Sequence, residues 1–369
     1  MKILYLTDAP VPSRTANSIQ SMHMCEAVTR LGHDVVLYCR KTDDTSDKDV
    51  FSYYGVTAPF RLFRQSDAEP KGFAEFFDNH LSDVQPELIF SRSVTGIQEA
   101  MSSKVTRQLP IIYEAHVPPQ SESDLRTLRA LFVGPQFRQL VCISSALALE
   151  YRRQFSSMLS PEQVTVSHSC ARAPIAGHVE GLPLPGRAAA LKVGYTGHLY
   201  PGKGGELVVE LAKRRFDIDF HIFGGMDEDI ARLRAANSAE NLYIHGFIPP
   251  SQIMRAQHSL DVLMLPYQRR VLGYGSDADL APWMSPLKMF ESLSAGKPII
   301  ASRLPVLQEI LADEVSALLA APECIEEWSH ALDRLASNET LRESLAENAK
   351  RLAATCTWDF RAQTIFGNL

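Results

Sequence analysis

The chain has 369 residues, 45% hydrophobic and 22% charged, with a formal net charge of -6. This size and balance suit a globular protein of two domains. There is no surplus of Lys and Arg for sequence-independent phosphate contact, so nucleic acid is not an expected partner.

The first residues, KILYLT (2–7), read as a buried strand, which leaves no room for a signal peptide ahead of it. A loop through Pro10, Pro12 and Asn17 follows. A helix with Ile19, Met22, Cys25 and Val28 on one face then ends at Gly32, and DVVLYC (34–39) is the next strand. Further strands are expected at 88–91, 111–115, 141–143 and 164–167. Segment 118–138 mixes Arg with Leu and Phe; it fits a helix leaning on an anionic membrane, or a plain solvated helix. From about 171 to 190 the chain is rich in Pro, Gly and Ala without any period, and reads as a linker.

The alternation then restarts. LKVGYTG (191–197) is a strand entering a glycine turn, 204–214 a helix, and DFHIFGG (219–225) a strand ending in two glycines. NLYIHG (241–246) and DVLMLPY (261–267) are strands, SPLKMFESLSAG (285–296) a helix closed by Gly296, KPIIAS (297–302) a strand, and two helices fill 323–355. CTWDFRAQTIFGNL (356–369) carries Trp358, Phe360 and Phe366 at helical spacing. No apolar run reaches the length that spans a bilayer. Cys25, Cys39, Cys142, Cys170, Cys324 and Cys356 show no zinc-like spacing and read as reduced thiols of a cytoplasmic protein. Strands alternating with helices throughout define an α/β chain with parallel sheets, whose ligands belong beyond the carboxyl ends of the strands.

Two segments carry the candidate chemistry. In YTGHLYPGKGG (195–205), glycines let the backbone approach a ligand, Lys203 adds a charge, and the following helix presents free N–H groups to an anion. The same letters fit a loop with a solvated lysine. In SPLKMFESLSAGKPIIAS (285–302), helical spacing turns Leu287, Phe290, Leu293 and Ser294 toward the sheet and sets Lys288 and Glu291 one turn apart. A carboxylate there can accept both hydroxyls of a ribose while the helix start faces a diphosphate. The alternative is a surface ion pair worth about 0.2–0.5 kcal/mol.

The consecutive order of these segments with IFGG, HGFIP and DVLMLPY, over about 191–311, resembles the donor domain of the retaining GT-B glycosyltransferases of family four (glycosyl transferases group 1), in particular those of bacterial polysaccharide and glycoconjugate synthesis. The opening TDAPVPSRTANSIQSMHMCEAVTRLGHDV, YEAHVPP (113–119) and VCISSALALE (141–150) resemble that family's N-terminal half. The resemblance implies a GT-B fold, two Rossmann-like domains facing across a cleft. These would be an acceptor-side domain over 1–175, with a C-terminal helix at about 356–369 crossing back to it, and a donor domain over 188–355. It implies transfer of a hexosyl group from a nucleotide-diphosphate sugar to an acceptor hydroxyl with retention.

Carried over by residue, the resemblance gives Lys203 and Lys288, with backbone N–H groups around Leu287, the diphosphate. Glu291 takes the ribose, and Gly246, Phe247 and Ile248 flank the base. Gly197 and His198 lie beside the phosphates, His116 against the sugar, and Asn17 faces the phosphates or the acceptor. His116 also fits an ordinary hydrogen-bonded histidine at a strand end. Two positions depart from the family: Trp283 stands where a second glutamate is usual, and His198 where arginine is common. Asp277 and Asp279, in GYGSDADLAP, are candidates to replace the missing carboxylate. The reaction is expected to need no cofactor and no metal. The expected partners are a nucleotide-sugar donor and a carbohydrate or lipid-linked acceptor, with peripheral contact at the inner membrane face and the oligomeric state left open. The other readings are a catalytically impaired sugar-nucleotide binder, and an epimerase or phosphorylase on the same fold. A nicotinamide oxidoreductase is disfavoured because no G-x-G-x-x-G follows the first strand.

Overall fold

The structure, a computed structural model, describes residues 1–66, 75, 77–78, 81, 84–273 and 277–367. The chain divides into two compact units, Met1–His168 with Trp358–Leu369, and Ser169–Thr357. Each is built on one parallel sheet.

In the first unit the strands are β1 (Lys2–Val11), β2 (Asp34–Lys41), β3 (Arg61–Gln65), β4 (Leu88–Ser91), β5 (Ile111–Ala115), β6 (Phe137–Cys142) and β7 (Val164–Val166). They pair in the order β3-β2-β1-β4-β5-β6-β7. Ile3, Leu4, Tyr5 and Leu6 are all buried, as a parallel strand covered on both faces requires. β1 runs further than the sequence predicts: after a register shift between Leu6 and Pro10 it pairs with β2 through Pro10 and Val11. Asn17, expected in the loop, therefore sits in the first turn of the helix Ala16–Arg30. That helix buries Ser18, Gln20, Ser21, His23 and Glu26 besides Met22, Cys25 and Val28, whereas Ile19 is only half-buried. Its second face is covered by the C-terminal helix Trp358–Phe366. Arg30 pairs with Asp359 at 2.7 Å and His23 stacks on Trp358. Of the three aromatic residues of the C-terminal helix, Trp358 and Phe366 are buried, while Phe360 is 56% exposed.

In the second unit β8 (Lys192–Thr196), β9 (Asp219–Phe223), β10 (Leu242–Gly246), β11 (Val262–Leu265), β12 (Ile299–Ser302) and β13 (Leu318–Ala320) pair in the order β10-β9-β8-β11-β12-β13. Val193, Tyr195, Val208, Phe220, Ile222, Trp328 and Leu332 fill its core. The irregular stretch 171–190 packs along this unit. Arg187 holds Asp219 at 2.6 Å, and the backbone of Leu182 bonds Ser259.

In both sheets the strand order reverses beside the first strand, between β1 and β4 and between β8 and β11. Loops leaving these neighbours run to opposite faces and open a crevice where α/β sheets bind ligands. The helix Glu122–Val133 buries Leu128, Leu131 and Phe132 and turns Arg126 and Arg129 outward, so its apolar face is already used in its own unit. Among the described residues no helix is long and apolar enough to cross a membrane.

Candidate functional site

The reversal between β8 and β11 gathers the lysines. β8 ends at Thr196, and Gly197 follows at φ +141°, where a side chain is strained and a Cβ would lie 3.3 Å from Lys288 Cδ. Further along the loop Gly204, at φ +90°, lies so close to the backbone of Pro266 that a Cβ would strike its carbonyl. The helix Gly205–Arg214 then begins without a side-chain cap, as does Leu287–Ala295 behind Pro286. Open first-turn N–H groups of this kind suit an anion.

Lys288 is buried, not part of the surface ion pair that its spacing to Glu291 also allowed. Its Nζ donates to Tyr195 Oη at 2.7 Å and lies 4.2 Å from the centre of the Tyr267 ring. The Lys203 ammonium approaches the same ring at 5.4 Å. Tyr195 Oη in turn donates to the carbonyl of His198, whose ring stacks on Tyr200. The buried Lys288 thus lies against both the Tyr195 and Tyr267 rings, with the partly exposed Lys203 at the second ring.

Burial lowers the Lys203 pKa to about 8. Burial, reinforced by the charge of Lys203, pushes Lys288 well below its ordinary value. Glu291, half-buried on the same helix, is raised to about 7 by burial against the pull of Lys288. Such a set is under-neutralised, and a multiply charged anion would relieve both the desolvation and the lysine repulsion. Leu287, expected to face the sheet with Phe290 and Leu293, is half-buried at the helix start, while Met289 takes the buried place.

The remaining predicted positions of this unit come in through the backbone. Gly197 N donates to Phe223 O at 2.8 Å, and Gly224 N donates to Gly246 O at 2.7 Å. The ends of β8, β9 and β10 therefore converge, with Phe247 and Ile248 half-buried just beyond. Beneath them the His245 ring lies flat on Phe223 at 4.1 Å and meets His221 at 3.0 Å.

Of the two candidates for the missing carboxylate, Asp279 is engaged with its own loop. Asp279 Oδ1 accepts from the N–H groups of Val271 and Ala281, both at 3.0 Å, so it braces its own loop. Asp277 is tied through its carbonyl to Arg270. Trp283 is half-buried and its backbone N–H donates to the Leu280 carbonyl, while residues 274–276 of this loop lie outside the described residues. Among the described residues no group of three or more His, Cys, Asp and Glu side chains is arranged to hold a metal ion.

Asn17 and His116 belong to the other unit, at the β1 and β5 ends. The Asn17 carboxamide oxygen accepts from Thr15 and from Ser18 N, closing the first turn of its helix, and its carbonyl accepts from Arg92 at 3.0 Å. Arg92 also reaches Gln20 Oε1, Gln20 donates to Glu114 Oε1 at 2.7 Å, and His116 Nε2 lies 2.5 Å from that oxygen. Asn17 and His116 are therefore linked by one network, which the strand and helix periods do not reveal. Glu114 is visible in YEAHVPP, but its role depends on Arg361, some 250 residues away in the chain.

Residues 189–352 match the model of the family "Glycosyl transferases group 1". A D-inositol 3-phosphate glycosyltransferase of Corynebacterium urealyticum is 25% identical over 199 residues, which cover 50% of this chain and 43% of that protein. An uncharacterized glycosyltransferase of Methanocaldococcus jannaschii is 25% identical over 169 residues, covering 45% and 44%. The chain thus spans less than half the length of these curated relatives. Among solved structures, Anabaena HepE in complex with UDP-glucose superposes with a TM-score of 0.72 at 15% identity, over 100% of both chains. Sucrose-phosphate synthase of Thermosynechococcus elongatus gives 0.72 at 17%, over 100% of this chain and 98% of its own. At these identities the likeness is one of fold: two Rossmann-like units of the GT-B class, as the sequence predicts.

Proposed function

We propose that this chain is a nucleotide-sugar-dependent glycosyltransferase whose second unit holds the donor by its diphosphate. The observation that carries this reading is the pairing of Lys288 and Lys203 on the Tyr267 ring, beside two uncapped helix starts at a strand-order reversal. The family match of residues 189–352 supports it.

In this reading the departing diphosphate gains negative charge as the glycosidic bond breaks, and the two ammonium groups, that of Lys288 buried, stabilise that charge. Glu291 accepts the ribose hydroxyls, and the main chain at Gly246, Phe247 and Ile248 reads the base. The transferred group is a hexosyl, passed with retention to a carbohydrate or lipid-linked hydroxyl in polysaccharide or glycoconjugate synthesis. A leaving phosphate oxygen on the attacked face serves to take the acceptor proton, so neither a carboxylate base nor a metal is assigned. Six unbridged cysteines, four of them buried, suit a reducing compartment such as the cytoplasm.

A non-catalytic nucleotide-sugar binder is the second reading, motivated by Trp283 at the usual glutamate position and by the engagement of Asp279 with its own loop. The two separate in one assay. UDP-, GDP-, ADP- and TDP-hexoses are incubated with the protein and a panel of sugar and lipid-linked acceptors, with nucleotide release and product followed together. Acceptor-dependent release with an anomerically retained product is the expected result. Donor binding without turnover on any acceptor would favour the binder.

A further inference from the structure

The C-terminal helix Trp358–Phe366 carries a charged side chain into the interior of the first unit. Arg361 is 1% exposed and Glu114 is 0% exposed, and they meet at 2.8 Å between Nη2 and Oε2. The same guanidinium donates to the carbonyls of His168 at 2.9 Å and Ser167 at 3.1 Å, and touches Met24 Sδ. Its planar fork is therefore held on several sides and cannot swing away from the carboxylate.

Glu114 has a different neighbour on each oxygen. Arg361 sits on Oε2. Gln20 Nε2 and His116 Nε2 both reach Oε1, at 2.7 and 2.5 Å. The Gln20 amide is oriented by Arg92, which donates to its oxygen and leaves its NH2 for Glu114. Arg361 keeps the Glu114 carboxyl well below the usual carboxylate range despite its burial. An ionised carboxylate only accepts, so the hydrogen between it and the ring belongs to His116 Nε2. Burial, the Arg92 charge and Arg361 together lower the His116 pKa to about 4, with Glu114 opposing them. A neutral ring whose Nε2 carries the hydrogen has its lone pair on Nδ1.

We infer that Arg361 is a positioning residue for His116: through Glu114 it fixes the imidazole as the Nε2–H tautomer, so that Nδ1 acts as a hydrogen-bond acceptor. The chemical partner of such a nitrogen is a hydroxyl donor, and a carbohydrate hydroxyl is the ligand class it fits. Only that last step rests on the glycosyltransferase reading; the tautomer itself is set inside the first unit by Glu114, Arg361, Arg92 and Gln20. The arrangement also gives the last helix a role beyond packing, because cutting or shifting it would release the charge that holds Glu114 ionised.

The test is nitrogen NMR on the full chain labelled at histidine, with the His116 signal assigned by its loss in His116→Gln. The spectra are recorded against pH for wild type, Arg361→Lys and Arg361→Gln. In the wild type at pH 7 the ring should be neutral with the hydrogen on Nε2. In Arg361→Gln the Glu114–His116 pair loses its compensating cation and should keep a proton to higher pH, raising the midpoint by about one unit, a tenfold gain in proton affinity. Arg361→Lys, which returns the cation, should bring the midpoint back to the wild-type value. A wild-type ring that is protonated at pH 7, or neutral with its hydrogen on Nδ1, would overturn the inference without any variant. So would an unchanged tautomer and midpoint in folded Arg361→Gln. Since no substrate is added, a failed tautomer assignment leaves the transferase reading standing, and a failure of nucleotide binding leaves the tautomer standing.

Discussion

At the scale of single residues, Lys288 sets folding against function. An ammonium withdrawn from water loses hydration worth several kcal/mol, and here Tyr195 and Tyr267 return only part of it. Lys288→Met keeps the length of the stem and removes the charge. It should raise the melting temperature while weakening nucleoside diphosphate binding at least about tenfold, roughly 1.4 kcal/mol; a calorimetric titration beside a thermal melt reads both. The neighbouring pKa values set a pH window for that binding. Lys203 titrates near 8 and an anion needs it protonated, so affinity should fall as pH rises above about 8. Glu291 titrates near 7 and accepts hydroxyl hydrogens best when ionised, so affinity should also fall below about 7. Across the upper limb, binding should take up protons, seen as a dependence of the heat on the buffer. A flat profile between pH 6 and 9.5 would contradict these assignments. Lys203, Lys288 and Glu291 stand out in the sequence by a glycine turn and a helical spacing, which fit a solvated loop and a surface ion pair as well; the roles proposed for them come from the family resemblance. Tyr195 and Tyr267 do not stand out, since a tyrosine in an apolar strand looks like core until the partner of its hydroxyl is seen. Arg361 is hidden for a related reason: its carboxylate lies on a strand far away in the chain.

At the scale of elements, strands with continuous apolar runs and helices closed by glycine stand where the letters place them. The exceptions have physical causes. β3 (RLFRQ) is a half-exposed edge strand, with Arg61 bonded to Asp34, and lacks the apolar run of an interior strand. The short helices Asp47–Tyr54 and Val94–Ser102 start at Ser46 and Ser93, whose hydroxyls accept N–H groups three residues on; the signal is a single capping residue. The helix Ala16–Arg30 buries polar side chains all round because a second helix from the end of the chain covers it, which local periodicity does not record. Two variants probe these elements. Gly204→Ala places a Cβ against the Pro266 carbonyl at a positive φ, so it should lower both stability and nucleotide affinity, by about 1–3 kcal/mol in stability. Trp358→Ala, which empties a buried ring site on the C-terminal helix, should cost about 3–5 kcal/mol. Chemical denaturation measures both. Nucleotide affinity of the still-folded Trp358→Ala protein should be unchanged, because its ring packs in the first unit and the lysines belong to the second.

At the scale of the whole molecule, the two sheets repeat one design. Each reverses strand order beside its first strand, and each collects its polar side chains there: Arg92 after β4 in one, and Lys203, Tyr267 and Lys288 around β8 and β11 in the other. This duplication is legible in the sequence as two strand–turn–helix openings separated by an aperiodic stretch. The chemistry is less evenly legible, because backbone convergence of Gly197, Gly224 and Gly246 requires three strands in register. Turnover is expected to persist in excess EDTA, since two lysines and two helix starts are assigned the diphosphate; loss of activity restored by a divalent cation would remove that assignment.

The central claim is that the second unit binds a nucleoside diphosphate through Lys203, Lys288 and Glu291. A calorimetric titration with UDP, GDP, ADP and TDP, repeated on Glu291→Ala, tests it most directly. One nucleotide should bind with a clear heat, and the variant should lose that binding while remaining folded. Silence with all four, or equal binding by folded Glu291→Ala, would contradict the account.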